Sequence, residues 1–130
     1  ILGPLNTTNK NNKYILVISD YFTKFVQAFA LQETTSAAII EKLDKYFLRY
    51  GFPNEILTDQ GSNFVSQEMQ NYLAQHKIKK IQTSPHHPQS DGLTERFNKT
   101  LAEMLSMYTN AETSNWDEYL DQVIFAHNST

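Results

Sequence analysis

Asp59 and Glu95 are the residues best placed, by type and setting, to do chemistry. Residues 60–94 separate them, 35 in all. Asp59 follows the apolar run Ile56-Leu57-Thr58 and leads into Gln60-Gly61-Ser62-Asn63-Phe64. Glu95 follows the polar stretch His86-His87-Pro88-Gln89-Ser90-Asp91-Gly92, and this setting predicts that it opens a helix. Two carboxylates on rigid elements can share a hard divalent cation such as Mg²⁺ or Mn²⁺, because such ions prefer oxygen ligands. That is the equipment for phosphoryl transfer. Each acid also has an ordinary reading: Asp59 as a turn residue, Glu95 as a first-turn helix acid favoured by the macrodipole. With six Asp and eight Glu in the chain, spacing alone says little, and the flanking residues must decide.

Those flanks are TDQGSNF around Asp59 and HHPQSDGLTERFNKTL around Glu95. They resemble the catalytic core of retroviral and retrotransposon integrases, in the gypsy-type form of long-terminal-repeat elements. The opening ILGPL, the segment KYILVISDYFTKFVQAFAL and the closing NWDEYLDQVIFAHNST extend the resemblance over essentially the whole chain. It implies an α/β, ribonuclease-H-like fold: a mixed five-stranded sheet flanked by helices, its first strand truncated. It implies a single integrase core domain over residues 1–130, 3′-end processing and strand transfer on DNA, and two Mg²⁺ or Mn²⁺ ions. The implied partners are element ends, target DNA and further copies of the chain, and the implied location is the nucleus.

The family uses three acids. By resemblance the first Asp falls immediately before Ile1 and bridges both metals, so the chain is expected to be a fragment cut at both ends and inactive by itself. Asp20, at the end of a strand, is expected to cap a turn rather than replace that acid. Asn63 is expected to stabilise the turn after Asp59. On the DNA side, Lys99 lies four residues after Glu95 and matches a basic residue of the family; it reads as a phosphate contact, against an i,i+4 pair with Glu95. Arg96 stands between DNA contact and surface pairing. His86, Gln89, Ser90 and Asp91 belong to a loop, 83–92, expected to lie against DNA near the scissile end. His86 and His87 have no further ligands spaced for zinc. Two other readings stay open: a captured integrase relic that binds nucleic acid or protein without cutting, and a ribonuclease-H-type nuclease acting on hybrids.

Composition bounds the rest. The chain has 130 residues, 40% hydrophobic, with a formal net charge of −3 and no cysteine, which excludes disulfides and thiol nucleophiles. No apolar run is long enough to span a membrane. Charge is uneven. Residues 76–100 carry Lys77, Lys79, Lys80, Arg96 and Lys99 against Asp91 and Glu95, while residues 101–130 hold acids and no Lys or Arg. A basic stripe around Glu95 is where a phosphate backbone would lie, and the acidic end predicts weak DNA binding by this domain alone.

The elements that must position these residues are legible as patterns. Residues 13–20 and 25–31 read as two buried strands joined in an antiparallel hairpin. Thr35 or Ser36 caps a helix to Tyr50, with Ala37, Ile40, Leu43, Phe47 and Leu48 as its core, ended by Gly51. Residues 55–58 form a strand into Asp59. Ser66 starts a helix to His76 with Met69, Tyr72 and Leu73 inward, and 77–82 form another strand. A helix follows from Leu93 to Tyr108 on Phe97, Leu101, Met104, Leu105 and Tyr108. Asn115-Trp116-Asp117-Glu118 predicts a capping box opening a last helix with Trp116, Leu120, Val123 and Ile124 inward.

Overall fold

The structure, a computed structural model of the chain, describes residues 1–59, 61–82, 88–108 and 115–129, with residues 82, 88–95 and 108 described through their backbone. The chain runs β1 (Tyr14–Ser19), β2 (Val26–Leu31), α1 (Ser36–Tyr50), β3 (Glu55–Thr58), α2 (Ser62–Val65), α3 (Gln67–Gln75), β4 (Lys79–Gln82), α4 (Pro88–Tyr108) and α5 (Trp116–Asn128). It folds into two compact units, one of Ile1–Glu33 with Thr94–Thr130, the other of Thr34–Leu93.

In the first unit β1 and β2 pair antiparallel from Tyr14↔Leu31 to Ser19↔Val26. Asp20 closes the hairpin: its Oδ1 accepts from the backbone N–H groups of Phe22 and Thr23 at 2.9 and 3.0 Å. Lys24 takes the left-handed conformation, φ 63°. Leu2 bridges Ile15 in antiparallel sense, with both backbone bonds at 2.9 Å. This bridge lies where the resemblance puts the first strand. Ile15, Val26 and Ala28 from the hairpin pack with Leu101 and Leu105 of α4 and with Trp116, Leu120, Val123 and Ile124 of α5. Helix α5 thus buries the face its periodicity predicts; of the stripe expected on α4, Leu101 and Leu105 are buried, Phe97 and Met104 are partly buried against them, and the Tyr108 side chain lies outside the described residues. Asn128, at the end of α5, accepts from Val26 N–H at 3.0 Å and donates to Val26 C=O at 2.8 Å.

The expected capping box does not form. Asn115 is the N-cap of α5 but its side chain makes no cap bond. The helix start is held instead from the N-terminal arm. Asp117 accepts from Thr8 Oγ1 at 2.6 Å and Asn12 Nδ2 at 2.8 Å, and Trp116 Nε1 donates to Asn6 C=O at 2.7 Å. A carboxylate in the first helical turn is favoured there in any case.

In the second unit β3 and β4 pair parallel, Glu55↔Lys79 to Thr58↔Gln82. Helices α1 and α3 pack together, burying Ile39, Leu43 and Phe47 from one and Met69, Tyr72 and Leu73 from the other. Thr35 Oγ1 caps α1 by accepting from Ala38 N–H, and Ser66 Oγ caps α3 by accepting from Met69 N–H. Gly51 ends α1 at φ 103°, a value an L side chain resists. The α1 core differs from expectation. Ile39 replaces Ala37 and Ile40 as the first buried contact, and Leu48 is 71% exposed, so the buried stripe runs at strict four-residue steps.

Two further expectations are corrected. Among the described residues the strands form two sheets of two strands each, where the resemblance implies one sheet of five. Hydrogen-bonded pairing is non-local, and no single strand's composition dictates it. Residues 88–92, expected as loop, are the start of α4, which begins at Pro88. Proline is well tolerated in a first helical turn, where its missing N–H has no partner to lose.

Candidate functional site

Asp59 stands one residue beyond β3, at the carboxyl end of a parallel strand pair. That end of a parallel α/β sheet is where ligands bind. Its side chain is exposed and already oriented, because Oδ1 accepts from Gly61 N–H at 2.9 Å. Among the described residues Oδ2 has no partner, which leaves an anionic oxygen facing solvent. Thr58 Oγ1 donates to Asp59 C=O at 3.0 Å, and Phe64 N–H to Gly61 C=O at 2.9 Å, tightening the turn. Gly61 has an ordinary φ of −58°; what it supplies is space. A Cβ there would meet Asn63 Oδ1 at 2.8 Å and Asp59 Oδ1 at 3.0 Å. Asn63, expected to stabilise the turn after Asp59, donates instead from Nδ2 to Thr34 C=O at 3.0 Å.

Glu95 lies inside α4, two turns after the helix begins rather than at its opening; its side chain lies outside the described residues. Asp59 belongs to the second unit and Glu95 to the first. Arg96 and Lys99 are exposed on α4. Among the described residues neither has a charged partner, and position 99 is one turn beyond position 95. Gln89, Ser90 and Asp91 are in the backbone of α4 with side chains outside the described set, and His86 lies outside the described residues altogether.

The basic stripe is thinner than the sequence suggests. Lys77 and Lys79 are exposed, but Lys80 is half-buried and donates from Nζ to Phe64 C=O at 2.7 Å. Its charge is spent inside the fold. A run of lysines reads alike whether each ends in solvent or on a carbonyl, so the sequence carries no signal for this bond. The four-residue helix α2, just after Asp59, is likewise too short for any periodicity to reveal it.

The donor set at Asp59 fits a hard cation: a carboxylate with one oxygen fixed by an amide and the other open. Among the described residues no three His, Cys, Asp or Glu side chains gather as a metal cluster.

Comparison with known proteins identifies the scaffold. Residues 3–88 match the model of the integrase core domain, well over half of the chain. The chain belongs to the integrase core domain family. It is 30% identical to gypsy retrotransposon integrase-like protein 1 of Pongo abelii over 130 residues, covering 100% of this chain and 25% of that protein. It is 34% identical over 120 residues to the Pol polyprotein of radiation murine leukemia virus (strain Kaplan), 91% of this chain and 21% of that one. The chain thus spans a quarter or less of these curated relatives. Among solved structures, the simian T-cell lymphotropic virus intasome in complex with PP2A regulatory subunit B56 gamma contains a chain that superposes with a TM-score of 0.78 at 27% identity, covering 92% of this chain and 44% of that one. The HTLV-2 integrase catalytic core domain in complex with magnesium superposes with a TM-score of 0.71 at 24% identity, over 87% of this chain and 72% of that one. The integrase core fold, ribonuclease-H-like and mixed α/β, is therefore the fold of this chain. Among the described residues no helix is long and apolar enough to cross a membrane.

Proposed function

We propose that this integrase core acts on DNA by divalent-metal-dependent phosphoryl transfer, processing the 3′ ends of an element and joining them to target DNA in the nucleus, as a homo-oligomer. The observation that carries the reading is Asp59: a preoriented, open carboxylate at the carboxyl end of a parallel strand, in a chain of this family. Asp59 and Glu95 would hold Mg²⁺ or Mn²⁺, two ions in all. When bound, such ions neutralise phosphate charge and raise the reactivity of a water or 3′-hydroxyl.

The residues of the chain do the positioning. Gly61 N–H keeps one Asp59 oxygen turned inward, so the other is presented without the cost of ordering a free side chain. Lys99 and Arg96, exposed on α4, offer cations to the DNA backbone, and His86, Gln89, Ser90 and Asp91 are assigned to DNA contact. Placing the reactants in line and neutralising charge accounts for most of what such an enzyme must do.

The test is strand transfer of an element-end oligonucleotide into plasmid DNA in Mn²⁺, by the integrase that carries this core. Glu95→Gln should abolish joining while leaving the thermal unfolding midpoint within a few degrees. Joining that survives Glu95→Gln contradicts the assignment. Cleavage of an RNA–DNA hybrid in preference to element ends would replace it with a nuclease.

A further inference from the structure

Beyond Asp59 the chain makes a single turn of helix, α2. A helix this short cannot satisfy its own C-terminal carbonyls. Each of its last three is met by a side chain from a different element. Ser36 of α1 donates from Oγ to Asn63 C=O at 3.0 Å, Lys80 of β4 from Nζ to Phe64 C=O at 2.7 Å, and Gln70 of α3 from Nε2 to Val65 C=O at 2.9 Å. Ser36 Oγ also lies 2.6 Å from Ser66 Oγ, the cap of α3. The peptide units that follow the Asp59 turn are thus held from three sides, and Phe64 N–H closes back on Gly61 C=O.

Lys80 is the charged member of this clamp. A hydrogen bond from an ammonium is roughly twice as strong as a neutral one, and among the described residues Lys80 has no carboxylate to compete for it. It sits opposite Ile56 in the parallel ladder, so the strand beside β3 also grips the segment that leaves β3. We infer that Lys80 is a positioning residue for Asp59. Its ammonium fixes α2, Phe64 N–H of α2 holds Gly61 C=O, and Gly61 N–H sets where the Asp59 carboxylate stands. The charge is withdrawn from the DNA backbone that its neighbours Lys77 and Lys79 are free to meet. The inference rests on the reading of Asp59 as a metal-binding carboxylate.

The test uses the full chain with Lys80→Met, which removes the ammonium and keeps the aliphatic stem, and Lys80→Arg, which keeps a charged donor. Amide hydrogen exchange is read by NMR, and duplex DNA affinity is measured against salt. Lys80→Met should speed exchange at Phe64 and Gly61 by about tenfold, the loss of one charged hydrogen bond. Amides of the other unit, such as Ile15 and Leu105, should hold their rates, and Lys80→Arg should recover much of the protection. The slope of log affinity on log salt should stay that of the unaltered chain. A slope shallower by about 0.9 with exchange unaltered makes Lys80 a phosphate contact and overturns the inference. Exchange that accelerates uniformly through both units also overturns it, leaving Lys80 a general stabiliser. Should Lys80→Met fail to fold, Lys80→Gln is judged by the same two readouts. The Glu95→Gln joining experiment decides the integrase reading separately, and its failure would leave the exchange result standing.

Discussion

Gly61 is a residue at which a small change reaches the Asp59 turn directly. An added methyl group there runs into Asp59 Oδ1 and Asn63 Oδ1, and one of those oxygens must move. Displacing a catalytic group by an ångström can cost on the order of 100-fold in rate. Gly61→Ala should therefore cut strand transfer by that order while the denaturation midpoint of the protein changes little; joining at the unaltered rate would show that the turn does not set the carboxylate. A second residue-scale prediction concerns Asp20. The backbone bond from Thr23 chiefly, then that from Phe22 and the Thr23 side chain, hold its carboxyl below the usual carboxylate value, against an opposing pull from burial. A group lowered on folding contributes stability above its unfolded pKa, and loses it as pH falls through the folded value. The gap in thermal midpoint between the unaltered chain and Asp20→Ala should be widest near neutrality and narrow in acid. A gap constant across that range would remove the carboxylate's charge from the account.

At the scale of elements, α4 carries the most weight, since its face seals the first unit's core and its first half holds Glu95. Leu101 is 1% exposed among Ile15, Val123 and their neighbours. Leu101→Ala should destabilise the chain by about 2–5 kcal/mol, by lost burial plus a cavity, measured by denaturant unfolding; a loss below about 1 kcal/mol would mean that this face is not packed as described. The elements themselves were largely legible because their signals are local. The Thr35 and Ser66 caps, the Gly51 stop, the hairpin and the inward face of α5 each follow from a few neighbouring residues. What was not legible depended on partners far along the chain. In α1, Ile39 and Ile40 are adjacent, as are Phe47 and Leu48, so the sequence offers two overlapping apolar stripes and packing against α3 chooses one. In α5, the N-terminal arm binds Asp117 and Trp116 where an Asn115 cap was expected. At the site, Asp59 and its turn could be read from seven consecutive residues, whereas the Lys80 clamp requires knowing that β4 lies beside β3.

At the scale of the whole molecule, a net charge of −3 must be reconciled with the DNA substrate proposed for it. With Lys80 committed internally, the cations left to DNA are fewer, and Lys99 and Arg96 gain importance. Lys99→Ala should weaken duplex binding and make the log–log salt slope shallower by about 0.9, one phosphate contact; an unchanged slope would assign Lys99 to the surface. The proposal tested most directly is that Asp59 and Glu95 are both ligands of the divalent metal. The most direct test is Mn²⁺ titration of the protein followed by paramagnetic broadening of its amide signals. Broadening is expected to centre on Asp59 and Gly61 and on the segment around Glu95 at the same Mn²⁺ concentration, and to be lost at both places in Asp59→Asn and in Glu95→Gln alike. Broadening at one segment that survives removal of the other's carboxylate would contradict the proposal.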